Sequence, residues 1–294
     1  MLSTLITLYL SAQVNSPTAQ IPLGNTVPQR PTGIEILSLS PLPIKSIEVP
    51  IGLTAKSALV MDVSSNKVLY EKNIDAQLPI ASITKIMTAI VTIEEIENLD
   101  EIAVVSGNAT STLGSKIWLY QGERISYKNL LYGLLVSSGN DAATAIAENV
   151  AGSEELFVQK MNEKRVALGM HNTSFANPHG LDDPNNYSTA SDVAILAGYA
   201  LKKSFIRSII DIKEMSIFNE HGGGHTLTST NKLLGVDPEI KGLKTGSTIG
   251  AGECLVALAV NPYGNEIITI LLNSGDRFGE TQYLKDKIWE AYVW

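Results

Sequence analysis

Apolar residues recur at helical spacing directly after Pro79. The members of this stripe are Ile80, Ile83, Ile86, Met87 and Ile90. A proline immediately before such a run is a helix-start signal, so the pattern predicts an amphipathic helix that continues to about Glu95. Ser82 and Lys85, three residues apart in its first turn, are expected to share one face.

Shorter apolar runs predict strands near both ends of the chain and helices between them. Strands are expected at residues 57–63, 67–70, 253–260 and 266–272, with a short pair at 212–218 and 225–230. Helices are expected at residues 127–136, 141–150, 153–168, 190–201 and 281–292. This order predicts an α+β fold with an antiparallel sheet of about five strands, built from both ends of the domain and flanked by helices, and an all-helical insertion. The sheet part is expected at about 51–93 and 236–294, and the mainly helical part at about 94–235.

Polar residues at the predicted helix ends indicate caps. Asn140 is positioned to cap the helix at 141–150. Asp192, three residues after Thr189, is expected to complete a shortened capping box.

The first 50 residues lack the periodicity of a folded domain. Residues 1–14 form a signal-like apolar segment, although the first basic residue is Arg30. An export signal is the preferred interpretation, and a disordered apolar tail is the alternative. Residues 15–50 hold seven of the twelve prolines, which predicts a semi-extended linker before a domain at 51–294. Since the chain ends soon after its last predicted helix, any membrane tether is expected at the N-terminus.

Charge and cysteine content exclude several classes of function. The formal net charge is −8 and Lys and Arg do not cluster, so nucleic acid is not an expected partner. The single cysteine, Cys254, excludes an internal disulfide and a Cys-based zinc site, and its apolar surroundings predict a buried thiol. The four histidines lack ligand spacing, so neither a metal nor a cofactor is expected. The run from His221 to His225 is interpreted as a hairpin turn, and no feature indicates an obligate interface, which favours a monomer.

Ser82 and Lys85 carry a candidate chemistry. A serine hydroxyl becomes a strong nucleophile when a base takes its proton, and a lysine can be that base when it is neutral. Ser-x-x-Lys occurs three times in the chain, but only this pair opens an amphipathic helix. Two further triplets follow: Ser138-x-Asn140 between two predicted helices, and Lys244-Thr245-Gly246 at the margin of a predicted strand.

These three motifs, in this order, are the signatures of the penicilloyl-serine transferases, which include the penicillin-binding proteins and serine β-lactamases. Longer phrases resemble the low-molecular-weight D-alanyl-D-alanine carboxypeptidases, namely SGNDAA at 138–143, NPHGLD at 177–182, TSTNKLL at 228–234 and GLKTGST at 242–248. The resemblance covers about Ala55 to Tyr292. It implies a β-lactamase/DD-peptidase-like fold and an extracytoplasmic enzyme that acts on peptidoglycan stem peptides and is inhibited covalently by β-lactams.

The resemblance assigns catalytic roles to three side chains. Ser82 Oγ would attack the carbonyl of the penultimate D-alanine while neutral Lys85 accepts its proton, and the backbone N–H of Ser82 would contribute to an oxyanion hole. Ser138 would relay a proton to the departing D-alanine. Asn140 would hydrogen-bond the substrate peptide and steady Lys85. Water would then hydrolyse the acyl-enzyme, which implies a serine-type D-Ala-D-Ala carboxypeptidase that trims stem pentapeptides.

The resemblance also assigns substrate-binding residues to the C-terminal part of the chain. Lys244 is expected to add positive potential and Thr245 to receive the terminal carboxylate. The backbone N–H of Ser247, the residue after Gly246, would complete the oxyanion hole. Arg277 is a further candidate for binding the carboxylate, and a solvated surface arginine is the alternative.

Three alternative functions stay open from the sequence. A DD-endopeptidase would cleave peptidoglycan cross-links with the same residues. A serine β-lactamase that deacylates through a glutamate-bound water is disfavoured, because residues 177–186 contain no glutamate. A catalytically inert wall-binding protein is disfavoured by the intact motifs.

Overall fold

A computed structural model describes residues 42–294 of the chain. The predicted signal-like segment, and the predicted linker as far as residue 41, lie outside the described residues. Among the helices of residues 42–294, none is long and apolar enough to cross a bilayer. The division of the chain into signal-like segment, linker and domain stays a prediction.

A five-stranded antiparallel sheet organises the fold. The strands of the described residues are β1 (Ile44–Lys45), β2 (Ser57–Asp62), β3 (Val68–Lys72), β4 (Leu78–Pro79), β5 (Ile102–Val104), β6 (Arg124–Ser126), β7 (Tyr187–Ser188), β8 (Glu214–Phe218), β9 (Gly224–Thr228), β10 (Ile240–Thr248), β11 (Gly252–Val260), β12 (Glu266–Ser274) and β13 (Tyr292–Val293). The large sheet has the order β10-β11-β12-β2-β3. Because β2 pairs with β12, both ends of the domain contribute to one sheet, and the predicted fold class is confirmed. The predicted insertion is mainly helical and not all-helical, because the short strand pairs β5–β6 and β8–β9 form within it.

Eight helices of the described residues cover and extend this sheet. They are α1 (Lys85–Glu95), α2 (Gly107–Ser111), α3 (Tyr127–Leu135), α4 (Asn140–Ala151), α5 (Glu154–Ala167), α6 (Ala190–Ala200), α7 (Ser204–Ile209) and α8 (Arg277–Ala291). Residues 85–92 of α1 are all buried, because α3, α4, α5 and α6 pack around it. The helix predicted to be amphipathic is therefore a central core helix, and it carries the candidate base at its first position.

Strand β10 is not among the strands predicted from the sequence, which places its motif at the margin of a strand. Lys244-Thr245-Gly246 lies inside this nine-residue strand, not at its margin, and Lys244 pairs with Val256 of β11. The sequence of β10 is interrupted by glycines and lacks a clear alternation of apolar and polar residues, so the strand has a weak local signal. Since β10 is at the edge of the sheet, one side of its backbone has no strand partner among residues 42–294.

One predicted cap, Asn140, and one predicted capping box, Thr189 with Asp192, are wrong, because the side chains of Asn140 and Asp192 bind tertiary partners. Gly139 is the N-cap of α4, and Asn140 is its first helical residue, with its side chain bound to Lys85. Thr189 caps α6 as expected, but the carboxylate of Asp192 accepts hydrogen bonds from the backbone N–H of Asn172 and the hydroxyl of Thr173. The predicted capping box is thus replaced by a link to the preceding loop.

The two ends of the described domain meet in a two-stranded sheet. Strand β1, which lies within the predicted linker, pairs with β13 at the end of the chain. The backbone N–H of Ser46 also donates to the carbonyl of Ala291. Residues 44–46 are therefore hydrogen-bonded to the end of the described domain.

Candidate active site

The turn that precedes α1 sets the spacing of Ser82 and Lys85. Residues Ala81–Thr84 form a 3-10 turn, in which side chains three residues apart eclipse each other. Ser82 Oγ lies 2.8 Å from Lys85 Nζ. Ser82 is half-buried and reachable from solvent, whereas Lys85 is 0% exposed. The structure therefore brings the hydroxyl and the amine together, with the hydroxyl accessible to solvent and the amine buried.

The oxygen atoms around Lys85 Nζ are compatible with a neutral amine. Besides Ser82 Oγ, Nζ lies 2.6 Å from Asn140 Oδ1 and 2.7 Å from the carbonyl oxygen of His179. Both of these oxygens only accept, so they take the two hydrogens of a neutral amine. The nitrogen lone pair is then left for the hydroxyl hydrogen of Ser82. Asn140 keeps this orientation because its Nδ2 donates to the carbonyl of Leu113 at 2.6 Å.

Burial and charge both favour the neutral form of Lys85. Burial lowers the pKa of Lys85 well below its ordinary value of 10.5, and the nearby charge of Lys244 lowers this pKa further, while Asp141 acts in the opposite direction. The three closest oxygens carry no formal charge, so none of them adds an ion pair that would offset the effect of burial. A lysine in this state can accept a proton near neutral pH.

Ser138 lies in a strained turn between α3 and α4. Its backbone has a φ of 60°, in the left-handed region that non-glycine residues rarely adopt. The preceding residue holds the turn, since Ser137 Oγ donates to the carbonyl of Thr228 at 3.1 Å and accepts from its N–H at 3.0 Å. Ser138 is 4% exposed, two residues before Asn140.

Strand β10 brings a second lysine to the same region. Lys244 is 2% exposed, and its Nζ donates to the carbonyl of Thr245 at 3.0 Å. Burial, together with the charge of Arg277, lowers the pKa of Lys244 to about 7. The predicted positive potential of Lys244 is therefore complete only below neutral pH. Thr245 Oγ1 shares a 2.6 Å hydrogen bond with Thr230 Oγ1.

The backbone of β10 approaches the nucleophile closely at Gly246. A Cβ atom at this position would lie 3.1 Å from the backbone nitrogen of Ser82 and 3.0 Å from the carbonyl oxygen of Ile80. A larger residue would thus crowd the N–H that an oxyanion would use. Ser247, the next residue, is exposed, which leaves its surroundings open to a ligand.

Arg277 is anchored to β10 at the first position of α8. Its Nη1 donates to the carbonyl of Gly246 at 2.7 Å. Its Nε is buried and has no hydrogen-bond partner within residues 42–294. The guanidinium is thus attached to the strand that carries Lys244, and its role in binding the carboxylate stays a prediction.

The loop at 177–186 closes the other side of the nucleophile. A Cβ atom at Gly180 would lie only 2.0 Å from the carbonyl oxygen of Ala81, and the φ of Gly180 is 85°, so this close contact requires glycine. Burial, helped by the charge of Lys85, lowers the pKa of the His179 side chain to about 4. Asp182 ties the loop to the end of β10, because its carboxylate accepts from Thr248 Oγ1 at 2.5 Å and from the Gly250 N–H at 2.9 Å.

Sequence reasoning missed three supporting residues. The buried carboxylate of Asp141 accepts the backbone N–H groups of residues 117–119. Thr230 binds Thr245, and Gly180 contacts the turn of the nucleophile. Each of them stands inside a phrase that resembles the carboxypeptidases, but their roles depend on partners distant in sequence. By contrast, the buried state expected of Cys254 is confirmed, since it is 0% exposed and burial raises its pKa to about 11.

Comparisons with known proteins agree with this geometry. Residues 44–275 match the family model described as D-alanyl-D-alanine carboxypeptidase. Among curated proteins, the chain is 41% identical over 209 residues to D-alanyl-D-alanine carboxypeptidase DacF of Bacillus subtilis, which covers 70% of this chain and 54% of that protein. It is 37% identical over 224 residues to a D-alanyl-D-alanine endopeptidase of Pseudomonas aeruginosa, which covers 75% of this chain and 72% of that protein. The chain thus spans about half the length of the first of these relatives.

Solved structures with the same fold include two DD-peptidases. A Streptomyces DD-transpeptidase superimposes with a TM-score of 0.78 and 29% identity over 83% of this chain and 100% of its own. The D-alanyl-D-alanine carboxypeptidase DacD from Francisella tularensis superimposes with a TM-score of 0.75 and 29% identity over 87% of this chain and 75% of its own. Because the family match extends over most of the chain and the fold agrees with it, the chain belongs to the D-alanyl-D-alanine carboxypeptidase family.

Proposed function

We propose that this protein is a serine-type D-Ala-D-Ala carboxypeptidase that removes the terminal D-alanine from peptidoglycan stem pentapeptides. The observation that carries the proposal is the 2.8 Å approach of Ser82 Oγ to the Nζ of a lysine that is 0% exposed. Burial lowers the pKa of Lys85, so the amine is available as a base. Its other two close partners, Asn140 Oδ1 and the His179 carbonyl, only accept hydrogen bonds.

The proposed reaction has two steps. Ser82 Oγ bonds to the carbonyl carbon of the penultimate D-alanine as its proton passes to Lys85 Nζ. The peptide bond to the terminal D-alanine then breaks, and Ser138 relays a proton to the leaving nitrogen. Water next attacks the acyl-enzyme, with Lys85 and Ser138 assisting, and releases the shortened stem peptide. The N–H groups of Ser82 and Ser247 stabilise the oxyanion in both steps.

The substrate is proposed to lie along the free edge of β10. An edge strand offers unpaired backbone groups to an extended peptide, and β10 is the edge strand next to the nucleophile. Thr245, Lys244 and Arg277 would bind the terminal carboxylate. The unpartnered Nε of Arg277, a donor without an acceptor among residues 42–294, supports this assignment.

Location and partners follow from the proposed substrate. Peptidoglycan lies outside the cytoplasmic membrane, so we place the enzyme there, secreted or held by an N-terminal tether that precedes a linker. β-Lactams would acylate Ser82 as covalent inhibitors. No partner chain, metal or cofactor enters the proposed chemistry, and the enzyme is proposed to act as a monomer.

Labelling with a fluorescent penicillin tests the nucleophile. The wild type is expected to give a covalent band, and Ser82→Ala is expected to give none. Ser64→Ala is a matched control, because Ser64 begins another Ser-x-x-Lys but its hydroxyl donates to Asp62 in the β2–β3 turn. Mass spectrometry of a treated pentapeptide should show loss of one D-alanine. A wild type that neither labels nor trims the pentapeptide would favour the inert wall-binding protein, and rapid penicillin turnover without a trapped adduct would favour a β-lactamase.

A DD-endopeptidase is the second candidate. The 37% identity to a protein named D-alanyl-D-alanine endopeptidase favours it, and the same site residues would perform the cleavage. A cross-linked muropeptide dimer distinguishes the two activities. Conversion of the dimer to monomers, without release of D-alanine from pentapeptide, would replace the carboxypeptidase by the endopeptidase.

A further inference from the structure

A loop between α2 and β6 borders the candidate active site, and residues 112–122 are called the rim loop below. The rim loop is attached directly to Asn140. The Asn140 Nδ2 donates to the carbonyl of Leu113 at 2.6 Å, and its backbone N–H donates to the carbonyl of Ser115 at 2.7 Å. The residue that orients Lys85 is therefore also the residue that positions this loop.

Trp118 stands out in the rim loop. Its backbone φ is 67°, and a bulky residue in the left-handed region is a strained outlier. The residue is 78% exposed, so packing of the indole does not compensate for the strain. Strained residues of this kind persist when the surrounding structure holds them, and they cluster at functional sites.

A buried carboxylate holds Trp118 in this conformation. Asp141, which is 0% exposed, accepts the backbone N–H groups of Ile117, Trp118 and Leu119 at 3.1, 2.9 and 3.1 Å. From the other side, His225 Nδ1 lies 3.0 Å from the carbonyl oxygen of Ile117. The loop is thus fixed on both sides, and Trp118 is presented to solvent on a rigid backbone.

The position of Trp118 fits contact with a bound stem peptide. Its backbone nitrogen lies 2.9 Å from the carboxylate of Asp141, the neighbour of Asn140, which places it within roughly 10 Å of the Asn140 Cα. An extended peptide advances about 3.3 Å per residue, so a substrate that contacts Asn140 needs about three further residues at most to reach the backbone of Trp118. Leu113 and Tyr120 add exposed apolar surface to the same loop, at 74% and 51% exposure.

We propose that Trp118 is a specificity-determining residue, whose indole contacts the part of the muropeptide that precedes the two terminal D-alanines. This inference rests on the proposed function of the same site. An indole on a fixed backbone supplies a large contact area at low entropic cost. The contact selects muropeptides with a full stem over short peptides that carry only the D-Ala-D-Ala end.

The test compares two substrates, a muramyl pentapeptide and an N-acetylated tripeptide that ends in D-Ala-D-Ala. The measured quantity is the ratio of their kcat/KM values. Trp118→Ala is expected to lower this ratio about tenfold, the size of a well-formed aromatic contact, and Trp118→Phe is expected to restore most of it. Tyr263→Ala is the matched control, because Tyr263 is 89% exposed in the β11–β12 turn, at the end of β11 away from Gly252, and the ratio should stay at the wild-type value.

Two results would overturn the inference. Both leave the ratio unchanged in Trp118→Ala: in one, both kcat/KM values stay at the wild-type level, and in the other both fall by the same factor, which would indicate a general disturbance of the site. Binding of the muramyl pentapeptide to Ser82→Ala, with and without Trp118→Ala, measures the contact without catalysis and should show the same tenfold loss. If the wild type cleaves neither substrate, the proposed function fails, and this binding comparison still decides the role of Trp118.

Discussion

Two buried lysines of this protein have opposite pKa shifts. Lys85 at the start of α1 is 0% exposed, and Lys285 in α8 is 5% exposed. Burial lowers the pKa of Lys85 well below 10.5. Burial also acts to lower the pKa of Lys285, but its hydrogen bonds to carboxylates outweigh this effect and raise the pKa above 10.5.

The difference lies in the oxygen atoms that each amine meets. Lys285 Nζ is 2.7 Å from a carboxylate oxygen of Asp237 and 2.8 Å from one of Glu239. Lys85 Nζ has equally short contacts, but they are made with a hydroxyl, an amide and a backbone carbonyl. Burial alone therefore does not keep a hydrogen-bonded lysine neutral. The groups that hydrogen-bond to its amine must also be uncharged. Lys285 joins α8 to the start of β10, whereas Lys85 is free to accept a proton.

Replacing each lysine by methionine should give the largest difference between the two sites, a loss of activity at Lys85 and a loss of stability at Lys285. Lys85→Met is expected to lower kcat/KM by about a thousandfold or more, since a general base is removed, without a large loss of stability. Lys285→Met leaves buried carboxylates without their cation and should reduce the free energy of unfolding by about 3 kcal/mol, while the folded fraction keeps its activity. Steady-state kinetics and urea unfolding measure the two effects. The comparison fails if both variants lose activity to the same extent.

Asn140→Asp should place a carboxylate beside the amine of Lys85, as Asp237 and Glu239 do beside the amine of Lys285. A carboxylate 2.6 Å from Nζ raises the pKa of a lysine by about one to three units. Acylation by penicillin at neutral pH should then slow by about a hundredfold, and the rate should recover in part as pH increases. Asn140→Ala is the control, because it removes the amide without adding charge and should show no alkaline recovery. Identical pH profiles of the two variants would contradict this account.

The pH dependence of stability should reveal the lowered pKa of Lys244. Its folded pKa is about 7 and its ordinary value is 10.5, so between these values the unfolded chain binds more protons than the folded one. The free energy of unfolding therefore increases with pH in this window, by up to about 1.4 kcal/mol per pH unit for one group. Lys244→Met should reduce this slope in urea unfolding without abolishing it, because the pKa of Lys85 is also lowered and contributes a slope of the same sign. The pKa of Lys285 is raised, so its contribution to stability has the opposite pH dependence and is lost only as pH rises above 10.5. An unchanged slope in Lys244→Met would therefore count against the lowered pKa of Lys244.

The smallest effect is expected beside Lys285. Trp289 Nε1 donates to Glu239 Oε2 at 3.1 Å, the same oxygen that Lys285 binds. Trp289→Phe keeps a ring against Trp294 but removes this donor, and should cost about 1 kcal/mol of unfolding free energy. Kinetic constants should not change. A loss of activity in this variant would show that the Lys285 region and the active site are coupled.

Much of the candidate site could be predicted because its signals are local. The stripe after Pro79 identified α1 and the turn before it, which carry Lys85 and Ser82, and the three motifs stood in a recognisable order. The strand β10 could not be placed correctly, because its glycines remove the alternation that indicates a strand and its partners come from β11. The N-cap expected of Asn140 was wrong for a similar reason, since Lys85 and Leu113 bind its side chain.

The sequence by itself determined the helices and strands in which apolar residues recur at regular spacing. It also determined the family resemblance and the identity of the reactive groups. The tertiary structure alone decided the state of those groups. Lys85 is a candidate base because His179 and Asn140 approach it from other parts of the chain, and Trp118 is presented at the rim because Asp141 binds its backbone. A pKa or a strained φ depends on atoms that are close in space, and local periodicity contains no information about which distant residues those atoms belong to.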